Sequence, residues 1–211
     1  MSAPSKETLI LACETLSERD VALAKAYALH GLPTWRTTPA KYHTLARTVT
    51  YQQISLSAAG AIWGRLVDHF GGVSKLTPEA ILAASEDEIR ACGMSRPKVA
   101  HLKSIAEAMV SGALNLTRVR KAPLEDARRE LTSVKGIGPW TAEIFLLYSG
   151  VVDALPTADI GLMQAYKLLR GDAERLDAKA FTKSAENWRP YRGVAAHLLW
   201  AHIHAVKAKS T

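Results

Sequence analysis

Apolar residues recur at three- and four-residue intervals along almost the whole chain. The pattern predicts helices over Thr8–Leu29, Lys41–Tyr51, Ala58–Phe70, Pro78–Ala84, Glu86–Cys92, Pro97–Ser111, Ala142–Tyr148, Gly161–Leu169, Ala178–Asn187 and Arg192–Val206. This spacing lines one face of an α-helix, whereas a half-buried strand alternates every second residue. No alternating β-branched run of useful length breaks the pattern. The punctuation agrees with it. Ser57 before Ala58, Thr77-Pro78, Ser85 with Glu88 three residues on, and Ser95 before Arg96 are helix starts. Gly71-Gly72, Gly112, Gly150 and Gly171 are natural stops. The expected class is all-α, with no fixed-period repeat.

Composition changes this picture little. The chain has 211 residues, 48% apolar and 22% charged, which is enough for a proper core and typical of a globular protein. No apolar run is long enough to span a membrane. Residues 1–12 lack the basic-then-apolar order of a secretory signal. Cys13 and Cys92 stand far apart, so a disulfide framework is not expected and a four-cysteine cluster is excluded from this chain alone. A reducing compartment follows, most simply a bacterial-type cytoplasm. The net charge of +7 favours an anionic partner, with nucleic acid the leading candidate and a merely basic surface the alternative.

The chemistry concentrates between Leu131 and Leu162, LTSVKGIGPWTAEIFLLYSGVVDALPTADIGL. Gly136 and Gly138 flank Ile137, and glycine allows both positive φ and close approach of another backbone. Ile137 would plug this turn into the core and leave backbone N–H groups outward. Pro139 suits a first helical turn because it has no N–H to leave unsatisfied. Such a turn presents donors and a positive helix end to a phosphate. Taken alone, the Gly-x-Gly is equally well an ordinary loop between packed helices.

The run LxxVKGIGPWTAxxxL followed by LPTAD-x-G resembles the helix-hairpin-helix DNA glycosylase superfamily, with its Gly/Pro-rich segment and following acid. More narrowly it is similar to the alkylbase branch, the 3-methyladenine DNA glycosylase II type. The resemblance covers about Pro39 to His204. It implies an all-α fold of two helical subdomains with an active-site cleft between them. The first subdomain would be about residues 39–150, with the hairpin at 131–145. The second would be 1–38 plus 151–211. Some bacterial alkylbase enzymes carry an additional β-rich N-terminal domain. The chain before Pro39 is too short to hold one, so the compact version is expected. The segment IRACGMSRPKVAHL echoes the hairpin, and the family carries a similar element there.

The resemblance assigns roles residue by residue. Gly136, Ile137 and Gly138, with Lys135 and Thr141, would grip the DNA backbone. In RTVTYQQISLS (Arg47–Ser57), Gln53 falls on the position that fills the gap left by an extruded nucleotide. Extrusion costs a few kcal/mol of unstacking, which an inserted side chain partly offsets. Known wedges are often apolar, and a polar turn between core helices is the alternative for Gln53. Trp140 stands where bifunctional relatives carry a lysine nucleophile, which implies a glycosylase without lyase activity; Lys135 is no substitute. Trp140 and Trp200 match aromatic positions of the base pocket, with Tyr51 as a further contributor. Alkylated purines are cationic, and an indole face attracts a flat cation by about 0.5–2 kcal/mol.

Asp159 is the expected catalytic residue. Breaking an N-glycosidic bond builds positive charge on the sugar. A fixed carboxylate stabilises that charge and orients or deprotonates water. Asp159 also reads as a helix N-cap, and both roles hold together. Asp153 is the nearby rival and fits the motif poorly. Arg189 and Arg192, in WRPYRG, either meet phosphate or pair with surface acids. His197, His202 and His204 are spaced by five and two, which does not place three ligands on one helical face, so no metal site is expected. The family's hairpin holds a structural monovalent or divalent cation in some members, and no other cofactor is implied. The expected partner is duplex DNA carrying alkylated bases, met by a monomer. Two alternatives stay open: a non-catalytic helix-hairpin-helix DNA-binding protein, and a same-fold glycosylase for a neutral base such as hypoxanthine or uracil.

Overall fold

The computed structural model describes residues 3–209. Among the described residues there are thirteen α-helices, two short 3-10 turns and no strand. The chain forms two compact units. One runs Thr38–Phe145; the other joins the chain up to Thr37 with everything from Leu146 onward.

The unit holding both chain ends contains α1 (Lys6–Arg19), α2 (Val21–His30), α11 (Ile160–Arg170), α12 (Ala178–Ala185) and α13 (Arg192–Lys209). Helix α13 packs on α2 and α11, and α1 packs on α2. Leu16, Leu23, Phe181, Trp188, Leu198 and Leu199 are fully buried in its core. The helix expected over Thr8–Leu29 is in fact two. Asp20 ends α1 in an extended conformation, and its Oδ1 accepts the Ala22 N–H at 2.8 Å to start α2. Its Oδ2 accepts the Tyr166 hydroxyl at 2.8 Å and the Trp188 indole N–H at 2.9 Å. The apolar period runs through Asp20 unbroken because the side chain works as a cap rather than a breaker, which periodicity does not register.

The other unit contains α3 (Tyr42–Tyr51), α4 (Leu56–His69), α5 (Pro78–Ala83), α6 (Glu86–Ala91), α7 (Arg96–Val110), α8 (Leu116–Val119), α9 (Leu124–Thr132) and most of α10 (Pro139–Tyr148). Helix α7 is its spine, contacting α3, α5 and α6. Leu45, Val49, Leu66, Ile81, Ile89, Leu102 and Ile105 form the core. Ser85 and Glu88 make a reciprocal capping box, as their spacing predicts. Helix α4 starts earlier than expected, with Ser55 rather than Ser57 accepting the Ala58 N–H. Helices α8 and α9 escape the apolar-period reading because the first is one turn long and the second is mostly charged.

Candidate active site

The loop Leu155–Ala158 delivers Asp159 to the start of α11 through a turn in which the Asp159 N–H donates to the Pro156 carbonyl at 2.9 Å. With φ −74° and ψ 115°, Asp159 is the N-cap. Its Oδ1 accepts the Leu162 N–H at 3.0 Å and the Trp200 indole N–H at 3.4 Å. The carboxylate is half-buried and faces the positive end of the α11 dipole. Gly161 gives it room: a Cβ there would lie 3.1 Å from Oδ1. The Asp159 carboxyl group is thus held by the Leu162 and Trp200 N–H donors beside an indole.

Trp200 belongs to an aromatic cluster within the same unit. Its ring is parallel to Tyr148, 5° between planes, with centroids 6.4 Å apart. His197, one turn earlier on α13, meets Trp200 edge-on at 5.7 Å and Tyr148 at 6.2 Å. Trp35 stacks on His197 at 4.3 Å and 19°. The His197 Nδ1 pairs with the Gly193 carbonyl at 2.9 Å; a carbonyl only accepts, so Nδ1 carries the proton. Burial lowers the pKa of His197, which keeps the ring neutral. Its Nε2 acceptor and the Trp35 Nε1–H donor are both buried without a hydrogen-bond partner. Native interiors leave few polar atoms in that state, and a functional pocket is one of the places where they occur. Trp35 and Tyr148 escape the sequence reading, and His197 enters it only as a metal ligand that its spacing rules out. Tyr148 sits in an apolar run and Trp35 in an irregular stretch, while only the three-residue step from His197 to Trp200 was a usable signal.

The other unit carries the hairpin. Gly136 has φ 98°, and a Cβ there would lie 2.5 Å from the Cβ of His101 and 3.0 Å from its Cα, so glycine is required twice over. Ile137 is 2% exposed and plugs the turn into the core as expected. Its amide does not point outward, however: it donates to the Val134 carbonyl at 3.0 Å. Among the described residues, the amides of Gly136 and Gly138 have no acceptor. Lys135 and Gly138 are exposed. Thr141, read as a DNA contact, is instead buried, with Oγ1 accepting the Gln52 amide at 2.8 Å. The two legs are clamped by Arg128 on α9, whose Nε and Nη2 meet the Glu143 carboxylate of α10 at 2.5 and 3.1 Å. Bidentate pairing of this kind is geometrically specific. Within the turn, the Leu131 carbonyl accepts the Val134 N–H at 3.2 Å.

Trp140 lies half-buried in the first turn of α10, in the hairpin unit, whereas Asp159 and Trp200 belong to the other. Tyr51 is half-buried, and the Arg47 guanidinium covers its ring at 4.4 Å. Gln53 is exposed, with φ 55°, the one non-glycine residue with positive φ among those described.

Arg192 requires correction as a phosphate contact. It is 4% exposed, with Nε and Nη2 on Asp153 at 2.9 and 2.8 Å and Nη1 on Glu186 at 3.0 Å. Arg189 pairs with the same two acids at 2.8 and 2.7 Å. Asp153 is thereby the anchor of an ion cluster and is not brought to Asp159's position on α11. Among the described residues, no group of three or more His, Cys, Asp or Glu side chains is arranged to hold a metal ion.

Residues 46–190 match the family model described as HhH-GPD superfamily base excision DNA repair protein. The chain belongs to that superfamily. This HhH-GPD protein is 35% identical over 162 residues to DNA-3-methyladenine glycosylase 1 of Schizosaccharomyces pombe, covering 75% of this chain and 71% of the relative. Its fold matches the crystal structure of DNA-3-methyladenine glycosidase from Bacillus halodurans with TM-score 0.79 and 31% identity, over 94% of this chain and 91% of the other. It matches Schizosaccharomyces pombe 3-methyladenine DNA glycosylase in complex with abasic DNA with TM-score 0.79 and 30% identity, over 90% and 94%. No helix among the described residues is long and apolar enough to cross a membrane.

Proposed function

We propose that this protein is a monofunctional DNA glycosylase that extrudes alkylated purines from duplex DNA and hydrolyses their N-glycosidic bond, the first step of base excision repair. The observation that carries the reading is the Asp159 carboxylate, held by the Leu162 N–H and the Trp200 indole N–H beside an aromatic cluster. The Gly136 and Gly138 amides and Lys135 hold a phosphate, and Gln53 enters the gap left in the stack. A structural cation at the hairpin would stiffen this grip. Trp200 offers its face to the cationic base. As the glycosidic bond breaks, its electron pair leaves with the base, and Asp159 stabilises the charge building on the sugar. Water then bonds to C1′ and gives a proton to Asp159 or solvent, leaving an abasic site. A cationic purine leaves without a strong general acid. Trp140, in the place of a lyase lysine, leaves no amine to form an imine with the sugar. The protein works as a monomer in the compartment of the genome, where Cys13 and Cys92 stay reduced.

The test is release of 3-methyladenine and 7-methylguanine from methylated duplex, comparing wild type with Asp159→Asn. Asparagine also caps helices, so the fold is kept. Release by wild type, and a loss of at least two orders of magnitude in the variant with duplex binding retained, is the expected outcome. Equal release by both would remove Asp159 from the chemistry. Release of hypoxanthine or uracil instead would move the substrate to neutral bases, and no release from any lesion would leave a DNA-binding module.

A further inference from the structure

Lys98 is the third residue of α7, and a cation in the first turn stands at the wrong end of its own helix dipole. Burial further lowers its pKa from the ordinary lysine value. Its ammonium is nonetheless placed with care: Nζ donates to the Thr50 carbonyl at 2.7 Å and to the Gln52 carbonyl at 2.8 Å. These carbonyls lie at the C-terminal end of α3 and one residue beyond it, where intrahelical donors run out and a positive charge is favoured.

Gln52 is therefore held at both ends. Its carbonyl is on Lys98, while its side-chain amide donates to Thr141 Oγ1 at 2.8 Å and more weakly to the Gly136 carbonyl at 3.4 Å. Thr141 and Gly136 are parts of the hairpin. The next residue, Gln53, takes the left-handed conformation that non-glycine residues avoid, and it is exposed. Such a conformation persists where surrounding bonds over-determine it. Lys98 and Gln52 supply those bonds.

We infer that Lys98 and Gln52 are positioning residues that lock the Gln53 loop to the Gly136–Gly138 hairpin, so that gap filling and backbone grip occur in fixed register. This rests on the proposed glycosylase reading, in which Gln53 fills the gap. Neither residue touches the reacting bond in this scheme. Their loss acts on extrusion of the base, not on cleavage once the base is out.

The deciding experiment separates flipping from chemistry. In an Asp159→Asn background, the duplex carries 2-aminopurine immediately 3′ of a 7-methylguanine, and its fluorescence reports local unstacking on binding. The parent is expected to raise the signal. Adding Lys98→Met or Gln52→Leu is expected to cut that rise by more than half with less than a twofold change in affinity for undamaged duplex, and Lys98→Arg to restore it. With Asp159 intact, single-turnover release should fall at least tenfold from a well-paired duplex and less than threefold from single-stranded DNA. An unchanged fluorescence rise in both variants, or equal losses on paired and single-stranded substrates, would overturn the inference. Should Lys98→Met fail to fold by thermal melting, Gln52→Leu alone decides, because it removes only the link to the hairpin. Absence of base release by wild type would defeat the catalytic reading, and the fluorescence comparison would still decide this one.

Discussion

Trp200 donates its indole N–H to Asp159 Oδ1, the same oxygen that caps α11 at Leu162. Two donors converging on one oxygen fix the rotation of the carboxylate, and they come from helices far apart in sequence. Trp200→Phe keeps a ring for the base and removes the donor. At 3.4 Å the bond is long, and about 0.7 kcal/mol, near the low end for a hydrogen bond, corresponds to roughly threefold in rate. Single-turnover release from methylated duplex should fall by about that factor with little change in substrate affinity. A change in affinity alone would assign Trp200 to binding and not to carboxylate orientation.

Gly161 offers a sharper separation of stability from activity. A Cβ at this position would crowd Oδ1 at 3.1 Å, while alanine restricts the unfolded chain, a gain of about 0.4–1 kcal/mol. Gly161→Ala is expected to melt at the same or a higher temperature and to excise about tenfold more slowly, since small displacements of a reacting group are expensive. A variant that is as active as wild type would show that the carboxylate tolerates displacement.

Arg192 and Lys135 should part company. Arg192→Met leaves Asp153 partly buried without its main partner, at a stability loss of about 3 kcal/mol, read by denaturant unfolding. Its DNA affinity should keep the wild-type salt dependence. The exposed Lys135→Ala should leave stability unchanged and reduce the slope of log K against log salt by about 1. The reverse pattern would return Arg192 to the DNA interface.

His197 gives stability a pH dependence with a definite sign. Its folded pKa is lowered by burial from 6.5, so below about pH 6.5 the unfolded chain binds a proton that the folded chain refuses. Stability is therefore full above that pH and falls as the pH drops below it, until the folded pKa is reached. His202, lowered chiefly by burial, adds in the same direction. Melting temperatures between pH 7.5 and 5 should decline in wild type and decline less in His197→Asn. An identical decline would place the titration elsewhere.

Much of this was legible in the chain because it depends on local chemistry. The 3.6-residue period yields the helices, and the Ser85–Glu88 spacing yields its capping box. Gly136-Ile137-Gly138-Pro139 yields a buried plug in a turn opening a helix. Asp159, four residues after Leu155 and directly before an apolar helix, announces its cap. The failures also have physical causes. Asp20 was hidden because a cap that fits the helical period looks like part of a helix. The guanidinium of Arg192 was ambiguous because a charged side chain's fate depends on which acid folding brings to it, here Asp153, 39 residues away.

The sequence by itself determined an all-helical protein with a glycine-bracketed turn that opens a helix and an acid that caps the next one, since these follow from propensity, spacing and capping over a few residues. Only the tertiary structure decided which side chains surround that acid. It set Trp200 on Asp159 across 41 residues, Trp35 on His197, and Gln52 on Thr141 across 89. Contacts of that separation arise from helix packing, where each side chain's partner is chosen by the shared core and not by its neighbours in the chain.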